Sequence, residues 1–328
     1  MILSVQEKEV TPMEYESLVF AVAYADAKGL PYETKTKQQI VDLGGVSAGL
    51  IAPDTHSGDF RDFAGKPAGT WSDDTQHTLA MMRSLHDDED FDLVNLAHHI
   101  RHEYDISPSG WGGATKKSIA RVDSSLTIEQ ALSIGVDSAG SGPLMRLPPL
   151  ALYGAFKRGF DLNGAVEDQT RLTHTAPEAV VGSVVLAQVI QGIVDGESSL
   201  TEIAIDLARS AEHAYNAQPF LSSRLERSLG ADDISGAVYQ QDAFAIWSVL
   251  TIALSVFDRS KDASLYELVD AVISEGGDTD SAAAIAGALY AIKNPDFVLD
   301  DSIVQQLDRA QELRNVGRDF STLINSLI

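Results

Sequence analysis

Two acidic clusters about two hundred residues apart carry the side chains best suited to chemistry in this 328-residue chain. The first is Trp71-Ser72-Asp73-Asp74-Thr75 and the second is Gly276-Gly277-Asp278-Thr279-Asp280-Ser281. Together they offer four carboxylates and several hydroxyls, each set at what reads as a helix start. Oxygen-only donors of this kind suit a hard divalent cation, Mg²⁺, Mn²⁺ or Ca²⁺, rather than zinc or copper. Asp and Ser at a helix start also cap orphan N–H groups and offset the dipole, which accounts for one such cluster on its own. The second cluster asks for more. Asp278 and Asp280 flank one residue after a Gly pair, and the helix that follows runs Ala282-Ala283-Ala284-Ile285-Ala286-Gly287-Ala288-Leu289. A helix this small and apolar packs centrally, and carboxylates gathered at its buried start repel one another unless a cation sits between them. Four carboxylates can serve two ions roughly 3.5–4 Å apart. An EF-hand loop starting at Asp278 needs Gly sixth and Glu twelfth, where this chain has Ala283 and Leu289. A phosphatase of the aspartyl-nucleophile type places its Asp-x-Asp after a hydrophobic strand, whereas Ser274-Glu275-Gly276-Gly277 precedes this one.

The elements that must position these clusters read almost entirely as helix. Thr11-Pro12-Met13-Glu14 has the form of a capping box with Pro at the first helical position, opening a helix over Pro12–Lys28. Ser72 or Asp73 caps a helix through Leu85, with Leu79, Met82 and Leu85 on one face. Shorter helices are predicted over Leu93–Glu103, Thr127–Gly135, Leu147–Arg158 and Asn163–Arg171. Pro177–Val194, Leu200–Tyr215, Gln240–Phe257, Leu265–Ser274, Asp280–Ile292 and Ser302–Val316 follow. Leu30–Thr70 is rich in Gly, Asp, Thr and Pro without a sustained period, and reads as loops with short extended pieces. Alternating β-branched runs, repeats and linkers are absent from the pattern. The expectation is one mostly α-helical domain over residues 1–328.

Composition narrows the ligand. Forty-eight acids against 24 bases leave a net charge of −24, which repels phosphate backbones and anionic lipid, so no nucleic-acid binding is expected. An anionic ligand would have to be held by backbone N–H groups, helix N-termini or bound metal. The absence of cysteine excludes disulfides, thiolate nucleophiles and Cys-type zinc sites. Met1–Glu9 lacks the basic start and apolar run of a signal peptide. The two longest uncharged apolar stretches, Ala179–Val194 and Ala243–Phe257, hold 16 and 15 residues. Both fall short of the ~20 that a span needs, and read as core helices. A cytoplasmic location without membrane association is the expectation.

The motifs in order resemble the ADP-ribosylglycohydrolase family. Ser72-Asp73-Asp74-Thr75 and Gly277-Asp278-Thr279-Asp280-Ser281 are similar to its two metal-binding motifs. Ala25-Asp26-Ala27-Lys28-Gly29 with Glu33 resembles its Gly-Asp-Ala-x-Gly…Glu opening, and Gly110-Trp111-Gly112 its glycine–aromatic–glycine loop. Gly140-Ser141-Gly142-Pro143-Leu144-Met145-Arg146 resembles its Gly-Asn-Gly-x-x-Met-Arg segment, with Thr173-His174 and Ser235-Gly236-Ala237-Val238 in matching order. The resemblance implies an all-α, orthogonal helical domain with a central binuclear metal cleft. It implies two Mg²⁺ ions, or Mn²⁺, on Ser72, Asp73, Asp74, Asp278, Asp280 and Ser281. It further implies Glu33 as acid/base or water-orienting group beside Asp278. The Gly112 loop and the segment Gly140-Ser141-Gly142 would line the diphosphate and ribose through backbone N–H groups, and His174 would bond in the ribose pocket. Trp111 would stack on the adenine or pack inside. The implied activity is hydrolysis of the bond between ADP-ribose and an acceptor, with a protein arginine first among acceptors and a small ADP-ribose conjugate also in scope. A non-hydrolytic ADP-ribose binder, crystallin-like or immunity protein on the same scaffold is the alternative, and a monomer is expected. Two positions depart from the family pattern. Ala25 stands where Gly is usual, and Ser141 where Asn is usual.

Overall fold

Residues 15–56, 61–197, 199–238 and 242–328 are described by a computed structural model of the chain. The capping box at Thr11–Glu14 lies outside them. Among the described residues the chain forms eighteen α-helices and three short 3-10 turns, with isolated bridges in place of strands. The architecture is a single all-α domain.

Two helices fill its centre. Glu16–Gly29 is buried from Ser17 to its end, and Thr279–Lys293 is buried over nearly its whole length. Both carry small residues where they meet, so their backbones touch. A Cβ on Gly287 would lie 2.8 Å from the Ala21 carbonyl oxygen, and one on Gly29 would lie 2.6 Å from Asp280 Cα. The Thr279 hydroxyl donates to the Gly29 carbonyl at 2.9 Å and locks the register. The methyl of Ala25 is housed by this pairing, because it faces the bare Cα of Gly287. Around the pair stand Asp73–Asp88, Ile246–Arg259, Leu265–Ser274 and Ala310–Leu327. The apolar Pro177–Val194 helix is long enough to cross a membrane by length and composition, and here it is enclosed by neighbouring helices.

Several predicted boundaries move, each for a tertiary reason. The Thr127–Gly135 helix shrinks to Ile128–Ala131, since Arg121 captures the Ile134 carbonyl and Val136 pairs with His174. Ser302–Val316 breaks into Asp301–Val304 and Ala310–Leu327. The break is at Arg309, left-handed at φ +52°, whose guanidinium sits 5.0 Å from the Trp71 ring centroid. Gln240–Phe257 becomes Ile246–Arg259, because Ala245 pairs with Gly140; residues 239–241 lie outside the described residues. Among its described residues, Leu30–Thr70 contains a capped helix, Lys37–Asp42, and three 3-10 turns besides the extended bridge of Thr36 to Gly276.

Candidate metal centre and cleft

Asp26 interrupts the apolar run of the first helix, and burial without partners would be costly. Its carboxylate accepts from the Ser72 N–H at 2.9 and 3.0 Å, from the Thr75 N–H at 3.0 Å and from the Thr75 hydroxyl at 2.6 Å. It therefore caps the Asp73–Asp88 helix from a neighbouring element, and the Ser72 hydroxyl takes the Asp74 N–H at 3.2 Å. With those orphan donors satisfied elsewhere, Asp74 is free of capping work. Its Oδ2 is buried and has no hydrogen-bond partner.

The second cluster is shaped by its Gly pair. Gly276 and Gly277 have φ of +77° and +86°, and a Cβ on Gly276 would lie 2.5 Å from the Lys35 carbonyl oxygen. Only glycine tolerates both constraints. The close approach is a backbone exchange: the Thr34 N–H donates to Gly277 O, and the Gly277 N–H donates to Lys35 O, both at 2.8 Å. This exchange fastens the segment carrying Glu33 onto the turn that opens the central helix.

Five acids from three separate segments thereby converge. Asp26, Asp74 and Asp280 each offer an oxygen within 4.8 Å of the others, as do Glu33, Asp278 and Asp280. The two sets share Asp280, whose Oδ1 is buried without a hydrogen-bond partner. Burial, aided by mutual repulsion, pushes Glu33, Asp74 and Asp280 well above the usual carboxylate range. Burial raises Asp73 to about 7, with the Asp26 charge adding to it, and raises Asp26 to about 6. Asp278 rises by burial against the hydrogen bonds it receives. Orphaned oxygens and repelling carboxylates fit a divalent cation, by the chemistry of the donor set.

Glu33, Asp73, Asp74, Asp278 and Asp280 form the floor of a cleft of about 350 Å³ that no lysine or arginine among the described residues lines, and Asp26 is buried behind it. Ser72, Asp73, Asp74, Asp278, Asp280 and Ser281 all face it, with Glu33 half-buried at one side. Gly112, Ser141, Gly142 and His174 form walls. The Ser141 hydroxyl donates to Asp278 Oδ2 at 3.2 Å, so this departure from the family pattern turns its donor toward the acids. The N–H groups of Gly140 and Ser141 are consumed by Ser138 Oγ and by Phe244 O. Expectation and structure differ here: those two N–H groups do not face a diphosphate. Free donors lie elsewhere along the cleft, where Gly113, Ala114 and Thr115 form a helix's first turn and have no backbone acceptor.

Trp111 requires a correction. Only 2% exposed, it lies beneath the cleft with its ring against His77 and Tyr104, and its N–H donates to Gln76 Oε1 at 2.8 Å and Ser107 O at 3.0 Å. It packs because an indole with a polar tip is satisfied inside. The aromatic that lines the cleft is Phe244, 48% exposed and fixed by the pairing of Ala245 with Gly140. Nothing in the local pattern around Phe244 marks it. Asp26, also unassigned from sequence as a ligand, did leave a signal: a carboxylate inside an otherwise apolar helical run.

A profile described as ADP-ribosylglycohydrolase matches residues 15–326. The ADP-ribosyl-[dinitrogen reductase] glycohydrolase of Rhodospirillum rubrum is 25% identical over 305 residues, covering 92% of each chain. ADP-ribosylhydrolase ARH3 of Homo sapiens is 26% identical over 253 residues, covering 67% of this chain and 69% of its own. A solved structure titled ADP-ribosylglycohydrolase-related protein complex superposes with a TM-score of 0.68 at 22% identity. That match covers 94% of this chain and 98% of the other, and shows the shared fold.

Proposed function

The chain belongs to the ADP-ribosylglycohydrolase family, and from that premise we propose that it hydrolyses the glycosidic bond between ADP-ribose and an acceptor. An ADP-ribosylated arginine side chain is the leading acceptor. The observation that carries this reading is the convergence of Glu33, Asp74, Asp278 and Asp280 on one cleft floor, with Asp26 buried behind them and no lysine or arginine among the described residues lining it. Asp74, Asp278 and Asp280, with Asp73, Ser72 and Ser281 beside them, would hold two divalent ions, Mg²⁺ or Mn²⁺. When bound, such ions supply the positive charge the cleft lacks and orient sugar hydroxyls and water.

The chain's own groups do the rest. Asp26 holds the Ser72–Thr75 turn in register. Ser141 steers one oxygen of Asp278. Glu33 stands at the cleft's side with its carboxyl shifted upward, suited to hold a proton and pass it at the leaving acceptor. The first-turn N–H groups of Gly113–Thr115 offer donors to the diphosphate, and Phe244 offers an apolar face to the base.

A hydrolysis panel tests this: ADP-ribosyl-arginine, ADP-ribosyl-serine and O-acetyl-ADP-ribose, each with Mg²⁺, with Mn²⁺ and with chelator. Cleavage of ADP-ribosyl-arginine that stops with chelator is expected. Cleavage indifferent to chelator would remove the metal role, and tight binding without product over hours would remove the hydrolase reading.

A further inference from the structure

His174 is 4% exposed and sits in the cleft wall between two glycines, with a Cβ on Gly140 placed 3.3 Å from its Nε2 and one on Gly142 placed 3.3 Å from its Cε1. The bare glycines keep that ring edge open to the cleft. Its other nitrogen, Nδ1, lies 2.9 Å from the Thr173 hydroxyl oxygen. The same hydroxyl receives an N–H from Arg146 Nη2 at 2.6 Å. Arg146 is wholly buried and anchored again by donating to the Gln169 carbonyl at 2.7 Å.

Hydrogen-bond direction now decides the proton's place. A guanidinium only donates, so Thr173 Oγ1 must accept from Arg146. The hydroxyl has one proton of its own to give, and His174 Nδ1 is its one remaining partner among the described residues. If Nδ1 carried a proton, it would donate too, and the buried Thr173 proton would have no acceptor, at the cost of an unmade bond. Nδ1 therefore accepts. The backbone around it is pinned, because the Thr173 carbonyl accepts the Val136 N–H at 3.1 Å and the His174 N–H donates to the Thr170 carbonyl at 2.8 Å.

We propose that Arg146 and Thr173 act as positioning residues that fix His174 as the neutral Nε2–H tautomer, a permanent donor to an acceptor oxygen of the ligand. His174 then takes no proton during turnover, which leaves proton handling to Glu33. The ligand's identity rests on the ADP-ribose reading above; the tautomer does not. Burial and the Arg146 charge push His174 down to about 3, in keeping with a ring that stays neutral. The other ionisable group facing the pair is His77, itself held neutral by burial.

The test is a long-range proton–nitrogen correlation spectrum of histidine-labelled protein at pH 7.5, with His174 assigned by its loss in His174→Gln. An Nε2–H, bare-Nδ1 pattern is expected for His174. Thr173→Val should turn it into a tautomer mixture and weaken ADP-ribose binding by calorimetry about 5- to 10-fold, the worth of one hydrogen bond. Thr173→Ser, which keeps the hydroxyl, should restore both. An Nδ1–H or doubly protonated ring in the unmodified protein overturns the proposal, as does a Thr173→Val spectrum that is unchanged. A changed tautomer with unchanged affinity overturns the donor role. If the unmodified protein does not bind ADP-ribose at all, the functional reading fails while the spectrum still decides the tautomer.

Discussion

Gly29→Ala tests whether the proposed metal ligands owe their placement to backbone contact between the two central helices. The added Cβ would lie 2.6 Å from Asp280 Cα and 2.6 Å from Thr279 O, where ordinary contact begins at 3.4 Å. Both obstacles are backbone, so Asp280 must retreat by roughly 0.8 Å, or the helices must part by a similar distance. In an unencumbered helix the same change would stabilise by up to about 1 kcal/mol, because alanine loses less entropy than glycine. Overpacking costs about 1–3 kcal/mol, and rigid neighbours put this case at the upper end, so a net loss of about 2 kcal/mol is expected in urea unfolding. A displacement approaching 1 Å at a catalytic group costs on the order of 100-fold in rate. Turnover should therefore fall by about two decades, and Mn²⁺ titration should show weakened binding. Gly49→Ala, whose Cβ meets nothing within 4 Å, serves as control and should match the unmodified protein. Gly29→Ala protein with unaltered stability and Mn²⁺ affinity would refute the idea that this contact sets the ligand geometry.

Three further outcomes follow from the cleft. Asp280→Asn should raise the melting temperature of metal-free protein by relieving repulsion, yet lose the rise caused by Mg²⁺ and at least 100-fold in turnover; full activity would end the metal assignment. Carboxyl groups raised on folding contribute stability that is complete below about pH 4 and is lost as pH climbs through their folded values, about 6 for Asp26 and about 7 for Asp73. Metal-free protein should thus lose stability between pH 4 and 7, and the Mg²⁺-induced thermal shift should be larger at pH 7.5 than at 5.5, a trend that calorimetry with and without chelator would expose if reversed. Trp111→Phe removes the one indole N–H that Gln76 Oε1 and Ser107 O share and should cost about 1–3 kcal/mol of stability with ADP-ribose affinity unchanged, whereas Phe244→Ala should weaken that affinity about tenfold with stability unchanged; the opposite assignment of effects would restore Trp111 to the ligand.

Much of the scaffold could be read from residue pattern because it is carried by local rules. The Pro177–Val194 and Leu265–Ser274 helices end where periodicity and capping predict. The small residues of Ala282–Leu289 announced close approach, and the approach is real. What stayed hidden depends on distant partners. No local signal tells that Arg309 breaks a helix to reach Trp71, or that Ala245 leaves the predicted helix to pair with Gly140. The clustering of Asp74, Asp278 and Asp280 was visible because repulsion between neighbouring carboxylates is a statement about sequence. Asp26 was harder, since its role appears only when the Ser72–Thr75 turn is laid across it. Trp111 misled because an aromatic between glycines marks a loop near the cleft, without saying on which side the ring falls.

That no lysine or arginine among the described residues lines the cleft bears on how the proposed nucleotide ligand would get in. With 48 acids against 24 bases, the molecule meets an anionic ligand as a like charge, and the encounter is slowed rather than steered. Added salt screens that repulsion and quickens capture, the reverse of its effect on enzymes with cationic funnels. Selectivity for the proposed ligand would then reside in how long it stays once short-range donors engage it.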